Sequence, residues 1–416
     1  MFGQLSKVEQ EQHSFIFLIS GSEHLLYGIC VSNEELLFSG NTLLTDTGNL
    51  EVRSNLDFFT RRVYCFISKF PFIRLHFEVI YSVIARERLR KIAFAVGVTT
   101  DEELEINKEN NEVITILKYY YEVKVPTEDN SLTFQIPGEL RQVEFKCLPG
   151  DEEKQIAEWG LITIIKSLSI DQIIDIFQSL LLEKQIVFVS KNLGCLSACV
   201  LSWLPLLRPY VFQGVVIPIL PVEMFEYLDA PVPILMGISK LPEDEELLKR
   251  LESDKLIVYL DTQKLSFPND VIPQLPEIKK LTKALSPIHK DIVDNKKKNQ
   301  NEQQRHIPDI ISAFRIYHIW LLDEILKSLS NLPIDKFDFD NEKHLEQLVA
   351  ATNKNYREFI SIFIRTQQFS GYSDKLIDVI NKRTKNITIN SSVKRHFKNN
   401  SLSDSDLITL SLKKSL

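Results

Sequence analysis

The sequence predicts an α/β fold, and residues 180–237 contain the pattern that predicts it. Ile186–Val189 and Val215–Ile219 are short β-branched and aliphatic runs, which are typical of strands. Asn192–Leu207 lies between them, has the length of a helix and ends at Arg208-Pro209. Because both strands are apolar at nearly every position, we expect a parallel sheet that is covered on both faces.

Further elements extend this core over residues 156–290. Ser169–Gln172 has the spacing of a capping box, which predicts the start of a helix that runs to the polar turn Glu183-Lys184. Pro233–Met236 and Lys255–Leu260 are the next apolar runs. We expect them to be two more strands of the same sheet.

A chain of 416 residues is long for a single core, and residues 15–125 are expected to form a separate lobe. Phe15–Ile19 and Tyr27–Val31 are predicted to pair as a hairpin, and Val63–Ser68 is a further strand. Phe72–Phe94 has helical periodicity. A mixed sheet with one or two helices fits this pattern.

Residues 126–155 are predicted to be a connecting segment, because acidic and turn residues are frequent there. Leu132–Ile136 and Val143–Lys146 are short strand candidates within it. Just before this segment, Val113–Lys118 and Tyr120–Val125 fit either helix or strand, and the sequence leaves both assignments open.

The carboxyl-terminal part is predicted to be helical over residues 306–380, between two polar segments. Its expected helices are Pro308–Leu329, Asn341–Ala351 and Tyr356–Phe369. The lysine-rich composition of residues 291–305 predicts a flexible surface loop, with a patch for nucleic acid or anionic lipid as the alternative. Residues 381–416 are rich in Asn, Ser and Lys, which predicts a flexible basic tail with a possible attraction to membranes.

The net charge, the amino-terminal sequence and the cysteines argue against some classes of function. A formal net charge of −7 argues against general nucleic-acid binding. The amino terminus is polar and does not resemble a signal peptide, so we expect a cytoplasmic protein. Five cysteines without close-pair metal spacing predict reduced thiols: Cys30, Cys65, Cys147, Cys195 and Cys199. Cys195 and Cys199 share a helix face, where a metal or redox role is the alternative to simple burial.

The sequence lacks the common catalytic and phosphate-binding motifs. It contains no phosphate-binding loop, no dinucleotide-binding glycine pattern, no nucleophile elbow and no zinc-protease motif. His76 and His318 are interpreted as core or edge histidines rather than catalytic bases. Glu243–Glu246 is interpreted as the charged first turn of a helix. We therefore expect recognition rather than covalent chemistry, with no cofactor.

Four short patterns follow one another in the central part of the chain. They are LLLEKQIVFVS at 180–190, LLRPY at 206–210, IPILP at 217–221 and APVPILMG at 230–237. Their order and spacing resemble the central segment of the DENN domain. The similarity continues outside this segment, at Leu26–Cys30, Tyr64–Phe77, Val258–Thr262, Phe359–Phe363 and Thr366–Phe369. Together these segments resemble the upstream, central and downstream parts of the family over most of residues 15–375.

The resemblance implies a longin-like α+β first lobe and a doubly wound α/β second lobe with appended helices. It also implies a guanine nucleotide exchange factor that grips a Rab-family GTPase, GDP-bound or nucleotide-free, between the lobes. Such a protein would regulate vesicle traffic from the cytoplasm and the surface of endomembranes. The family usually has a further strand before the position of Phe15. We therefore expect either a shortened first lobe or an incomplete chain start.

Within the matched segments, eight residues are candidate contacts for the GTPase. They are Phe72, His76, Glu78, Glu183, Lys184, Asp229, Pro231 and Pro233. Each also has a simpler structural interpretation, because prolines end strands and Glu183-Lys184 forms a turn. No catalytic, cofactor-binding or metal-binding residue is predicted.

Two other functions stay open. One is a GTPase-activating subunit, because some relatives of the family stimulate GTP hydrolysis with an arginine. Candidates for such an arginine are Arg208 and the cluster Arg86, Arg88 and Arg90. A scaffold subunit without exchange activity belongs to the same alternative. The third possibility is an enzyme that binds a ligand at the strand ends of a doubly wound sheet. The missing phosphate loop argues against that enzyme.

Overall fold

The computed structural model describes residues 14–20, 25–38, 58–95, 112–125, 131–135, 142–146, 152–294, 300–330, 332 and 337–373. The described residues up to Gln155, together with Asn192–Gly194, form one compact unit, and those from Ile156 onward form a second. Sheets and helices occur in both, so the α/β class is confirmed. The predicted tail at 381–416 lies outside the described residues.

The first unit contains an antiparallel sheet of three strands. In sheet order these are β1 (Ser14–Ser20), β2 (Leu25–Phe38) and β3 (Phe58–Ser68). Helix α1 (Ile73–Ala95) follows, and Tyr64 and Phe66 on one face of β3 pack against a core cluster that contains Leu75, Val79 and Val83 of this helix. The predicted hairpin, third strand and helix are confirmed.

A second helix and a small hairpin complete the first unit. Most of the residues that fitted either helix or strand form one helix, α2 (Glu112–Glu122), and 123–125 lie beyond its end. Ile116 of α2 is buried against α1. The two strand candidates of the connecting segment are confirmed as β4 (Ser131–Gln135) and β5 (Gln142–Lys146), which pair antiparallel. Phe145 of β5 enters the same core cluster as Ile116.

The second unit begins with two helices. Helix α3 (Glu152–Ser167) spans the boundary, and α4 (Ile170–Leu181) starts where the sequence predicts. The Ser169 side chain accepts a hydrogen bond from the Gln172 amide, and the Gln172 side chain accepts one from the Ser169 amide. This reciprocal capping box fixes the start of α4.

A five-stranded sheet forms the centre of the second unit. Its strands are β6 (Ile186–Val189), β7 (Val215–Ile217), β8 (Ile234–Ile238), β9 (Leu256–Tyr259) and β10 (Lys264–Ser266). Their spatial order is β10-β9-β6-β8-β7, in which the last four are mutually parallel and β10 is antiparallel to β9. Every residue of β8 is buried. The predicted parallel sheet is confirmed, whereas the antiparallel edge strand is an addition.

The single helix predicted over Asn192–Leu207 is wrong. The structure contains α5 (Leu193–Leu201) and a separate short turn, α6 (Leu204–Leu207). Pro205 explains the break, because proline has no amide hydrogen for the Leu201 carbonyl and its ring would clash there. Beyond β7, a 3₁₀ segment (Val222–Asp229) and α7 (Glu245–Asp254) lie in the crossovers of the sheet.

The flexible loop predicted over 291–305 is also wrong for its described residues. Helix α8 (Ile278–Asp294) extends into this segment and α9 (Gln300–Gln304) ends it, while 295–299 lie outside the described residues. Ile292 and Gln303 are buried, and His306 Nε2 lies 2.8 Å from the Asp291 carboxylate. Burial of these side chains therefore gives the described part of the segment a defined structure, although its composition is rich in lysine.

The remaining helices pack beside the sheet layer. They are α10 (Ile307–Ser330), α11 (Glu342–Ala351), α12 (Arg357–Phe363) and α13 (367–373). Phe314, Tyr317 and His318 of α10 surround Phe177 of α4 with ring-centroid distances of 4.8 to 5.9 Å. The helix predicted over Tyr356–Phe369 is interrupted at 364–366. No helix in the described ranges is both long and apolar enough to cross a membrane.

Candidate functional site

The loops that precede the parallel strands lie next to one another at the end of the second unit's sheet where these strands begin. We call this end the amino edge of the sheet. Because β6, β8 and β9 are parallel, their amino ends lie side by side. The loop before β6 contains Gln185, whose side-chain amide donates hydrogen bonds to the carbonyls of Ala230 and Val232 at 2.8 and 2.6 Å. These bonds join the segment containing Glu183 and Lys184 to the segment from Asp229 to Pro233. Two separately predicted parts of the site are therefore neighbours.

An open depression of about 580 Å³ lies at this edge, and we call it the amino-edge groove. Leu182, Glu183 and Pro233 line one side, and Ser361, Ile362, Arg365 and Thr366 line the other. The lining combines aliphatic side chains with a carboxylate, a guanidinium group and hydroxyl groups. A surface of this kind suits a protein partner that presents both apolar and polar side chains.

Glu183 is held in the groove by backbone geometry and by its carboxylate. It follows the carboxyl end of α4 with φ of 52°, the left-handed conformation that usually belongs to glycine at this position. The Glu183 amide donates to the Leu180 carbonyl and the Lys184 amide to the Ser179 carbonyl, which completes a Schellman motif. The predicted turn is confirmed.

The Glu183 carboxylate caps another helix. It accepts hydrogen bonds from the backbone amides of Gln367 and Gln368 at 2.9 and 2.8 Å, at the amino terminus of α13. An anion is favourable there, because the first amides of a helix have no partner within it and the helix dipole is positive at that end. The residue is thus a structural cap as well as part of the groove.

Arg365 is the cationic group of the opposite side. Its Nε donates to the Glu342 carboxylate at 3.0 Å, and further guanidinium nitrogens contact that carboxylate and the Ser361 carbonyl. The side chain nevertheless keeps about a third of its surface exposed. Its orientation is therefore fixed while part of it faces solvent in the groove.

The other candidates at this edge differ in exposure. Asp229 and Pro231 are exposed, whereas Lys184 and Pro233 are half-buried. The Asp229 carboxylate forms an ion pair with Arg250 at 2.8 Å. Burial lowers the pKa of the neighbouring Lys255, although Asp254 and Asp229 oppose that shift. Asp229 is accordingly engaged within the protein while still facing solvent.

The candidates in the first unit do not line the groove. Phe72 and His76 are buried, and Glu78 is half-buried. His76 lies between the Phe70 carbonyl, 3.3 Å from Nε2, and the Tyr120 hydroxyl, 2.7 Å from Nδ1. Burial lowers the pKa of His76 to about 4. This geometry agrees with a neutral core histidine that donates from Nε2 and accepts at Nδ1.

Three of the four arginines considered for GTPase activation are half-buried or bound within the protein, and Arg90 is exposed. In the first unit, Arg88 donates a short hydrogen bond to the Asn33 side-chain oxygen. Arg208 is half-buried at the end of α6. Arg86 is half-buried and Arg90 is exposed on α1.

The carboxyl edge of the parallel sheet is occupied by internal hydrogen bonds. Ser190 Oγ donates to the Asp261 carboxylate at 2.6 Å, and the Lys191 amide donates to its other oxygen at 3.0 Å. The Asp261 carboxylate therefore ties the residues after β6 to those after β9. Within the described ranges, no cluster of three or more His, Cys, Asp or Glu residues could hold a metal ion.

Comparison with known families decides what kind of domain this is. The family model described as the DENN (AEX-3) domain matches residues 59–263, which include nearly all of β3, the whole of α1 and the four parallel strands β6 to β9, and end just before β10. The chain is a DENN-domain protein.

Relatives of this DENN-domain protein are distant and much longer. The MAP kinase-activating death domain protein of Caenorhabditis elegans is 30% identical over 233 residues, which are 51% of this chain and 16% of that protein. Human DENN domain-containing protein 2B is 25% identical over 321 residues, or 74% of this chain and 26% of that protein. Human DENN domain-containing protein 1A is 24% identical over 213 residues, which are 51% of this chain and 19% of that protein. The chain thus spans about a quarter or less of each of these relatives.

Two of the segments that resemble the family pattern contact each other in the structure. Sequence reasoning named Glu183 but did not pair it with the TQQF segment at 366–369, although both belong to the resemblance. Their contact through the α13 amides forms one end of the groove. The matched order of the two motifs was the signal that could have indicated Ser361, Ile362, Arg365 and Thr366 as lining residues.

Proposed function

We propose that this DENN-domain protein is a guanine nucleotide exchange factor that promotes GDP release from a Rab-family GTPase and thereby regulates vesicle traffic. DENN-domain proteins are generally exchange factors of this kind, and the family match supports the assignment. The amino-edge groove is the observation that carries the proposal. It offers a preformed surface for a protein partner.

Exchange needs no covalent chemistry. The switch segments of a GTPase are held in place by the nucleotide phosphates and Mg²⁺. A partner that binds a different switch arrangement lowers the affinity for nucleotide. By linkage, that partner binds the nucleotide-free GTPase more tightly than the loaded one, and by the same factor.

The groove is suited to this differential binding. Leu182, Pro233 and Ile362 offer apolar contact to a switch side chain. Glu183 and Arg365 are fixed by their own hydrogen bonds, so they lose little conformational entropy when a partner binds. The groove could therefore recognise one switch arrangement and exclude another.

We extend the proposed contact surface to the exposed part of the same edge. Asp229 and Pro231 lie beside the groove and Lys184 follows Glu183, so all three can contribute to the rim. In the first unit, Glu78 is the candidate with some accessible surface. Phe72 and His76, being buried, would act by supporting the surface around them.

The cellular setting follows from the proposed partner. A Rab-family GTPase is attached to endomembranes, so its exchange factor would work in the cytoplasm and reach the membrane through that GTPase. We propose that the GDP-bound and nucleotide-free forms are the preferred partners. This proposal concerns the chain as given, which represents a fraction of its relatives' length.

GDP release from a panel of purified Rab-family GTPases tests the function. Each GTPase is loaded with a fluorescent GDP, and release into excess GTP is followed with and without the full chain at micromolar concentration. We expect acceleration for at least one GTPase, together with retention of its nucleotide-free form in a pull-down. If a folded chain accelerates none of the panel, exchange is not its task.

The same panel separates exchange from GTPase activation. GTP hydrolysis is measured with each loaded GTPase, with wild-type chain and with Arg208→Ala. Accelerated hydrolysis that the variant loses would establish the alternative function. Faster GDP release with unchanged hydrolysis would exclude it.

A further inference from the structure

Two cysteines of the first unit face each other across neighbouring strands. Cys30 of β2 and Cys65 of β3 are direct partners in the antiparallel register. The flanking pairs, Gly28 with Ile67 and Ser32 with Val63, keep the same register without a bulge. Because side chains alternate along a strand, Cys30 and Cys65 project from the same face of the sheet.

Opposed positions in an antiparallel pair suit a disulfide. Their Cα atoms lie about 4.5 to 5.5 Å apart, and a disulfide needs about 4.4 to 6.8 Å. Their Cβ atoms lie about 4.5 to 5.5 Å apart, slightly more than the 3.5 to 4.5 Å of a disulfide. The Cys65 thiol donates a hydrogen bond to the Phe66 carbonyl at 3.7 Å, and Cys65 is close enough to Cys30 to add to the effect of burial in raising the pKa of the Cys30 thiol. A small movement of the two side chains would thus bring the sulfur atoms into bonding distance.

The two thiols differ in access. Cys65 is exposed, and it lies between the exposed side chains of Val63 and Ile67, which are 48% and 61% accessible. Cys30 is buried, and burial raises the pKa of its thiol. A soluble oxidant therefore meets Cys65 first, and Cys30 is placed to react with whatever is attached there.

We propose that Cys30 and Cys65 form a reversible disulfide in response to a low-molecular-weight disulfide such as oxidised glutathione. The Cys65 thiolate attacks one sulfur of the oxidant, so a mixed disulfide forms and one thiol leaves. The Cys30 thiol then loses its proton, and its sulfur displaces the second thiol from Cys65. Two protein thiols are oxidised, and the oxidant is reduced to two free thiols.

The bond would stabilise the edge of the sheet. β3 is an outer strand of the three described strands, and its opposite face contributes Tyr64 and Phe66 to the core against α1. Tying β3 to β2 would therefore hold this core layer together. The proposal is independent of the proposed exchange activity, since it concerns the covalent state of the first unit.

The other described cysteine pair provides a contrast. Cys195 and Cys199 are four residues apart on α5, where the Cβ atoms of such pairs lie about 5 to 6 Å apart on a rigid helix. That distance exceeds the disulfide range, so bridging would require local unwinding. Hydrogen bonds with Cys199 and Ser167 lower the pKa of Cys195 to about 7. Cys195 is accordingly a competing site for a mixed disulfide and must be controlled.

Peptide mapping of the full chain tests the proposal. The protein is incubated with oxidised glutathione, remaining thiols are alkylated, and a non-reduced digest is analysed by mass spectrometry. We expect one cross-linked pair of peptides that contains Cys30 and Cys65, lighter by two hydrogen atoms and lost after dithiothreitol. Failure to detect that pair, while Cys65 is glutathionylated or unmodified, overturns the proposal.

Three variants sharpen the result. Cys65→Ser should abolish the cross-link, and Cys30→Ser should accumulate glutathione on Cys65 because no resolving thiol remains. Cys195→Ser removes the competing thiol and should leave the cross-link unchanged. If the cross-link disappears in Cys195→Ser instead, the disulfide does not arise from the strand pair alone and the assignment is wrong.

Discussion

Glu183 and Gln368 cap the ends of two helices that are far apart in the sequence. The Glu183 carboxylate accepts the Gln368 amide at 2.8 Å at the amino terminus of α13. In return, the Gln368 side-chain amide donates to the carbonyls of Leu180 and Leu181 at 2.9 and 2.8 Å, at the carboxyl end of α4. A negative group lies at a positive helix end and a donor at a negative one. These reciprocal hydrogen bonds fix one end of the amino-edge groove.

Glu183→Ala is expected to lower the free energy of unfolding by about 1–3 kcal/mol, because two charged hydrogen bonds to a helix terminus are lost. Urea denaturation followed by circular dichroism measures the change. Glu183→Gly loses the same bonds but relieves the left-handed backbone, which recovers about 1 kcal/mol. An alanine variant as stable as wild type, or more stable than the glycine variant, would contradict this account.

Gly237→Ala is expected to destabilise the protein by about 1–3 kcal/mol through overpacking. A Cβ atom at Gly237 would lie 2.2 Å from the Pro218 carbonyl oxygen and 2.7 Å from the Leu196 side chain. Thermal unfolding of the variant measures the effect. Gly371→Ala is the matched control, because nothing lies within 4 Å of its Cβ position and alanine favours a helix. The control should be neutral or stabilising, and equal losses in both variants would exclude the steric explanation.

Much of the fold follows from local sequence patterns. The capping box at Ser169 and the apolar strand Ile186–Val189 are visible because each depends on neighbouring residues. The contact between Glu183 and the amides of Gln367 and Gln368 depends on packing across the second unit, so no local pattern shows it.

The wrong predictions have equally specific causes. Pro205 divides a segment whose hydrophobicity suggested one continuous helix. Composition suggested a loop around Asp291, but burial of Ile292 and Gln303 orders that part of the chain. Buried contacts with distant elements decided the outcome there, and a composition average does not include them.

Acid should destabilise the protein through His318. Its Nε2 donates to the Leu206 carbonyl at 2.8 Å, and its Nδ1 has no hydrogen-bond partner in the described part of the chain. Burial lowers its pKa to about 4 from an ordinary value near 6.5. Between these values the unfolded chain binds more protons than the folded one, so stability falls as pH falls.

From pH 7 to pH 5, this single histidine should contribute a loss of about 2 kcal/mol in the free energy of unfolding. Urea denaturation at both pH values measures the total loss, to which His76, with a pKa also lowered to about 4, contributes in the same direction. His318→Gln can keep the donor to Leu206 but does not titrate. The loss between the two pH values should be smaller in this variant by about 2 kcal/mol, and an unchanged loss would show that His318 is not responsible.

Ile362→Asp should impair GDP release if the amino-edge groove binds the GTPase. Ile362 is half-buried in the groove, and a carboxylate there would face the apolar contact expected from the partner. We expect the release rate at a fixed, subsaturating concentration of the chain to fall about tenfold, which corresponds to about 1.4 kcal/mol of binding free energy. Val271→Asp is the matched control, because Val271 is 84% exposed and does not line the groove. The GDP release rates of the two variants are compared directly if their melting temperatures are equal. Otherwise each rate is first corrected for the folded fraction of the variant. If both retain wild-type rates while wild type is active, the GTPase binds elsewhere; if both lose activity equally, the added charge rather than the groove is the cause.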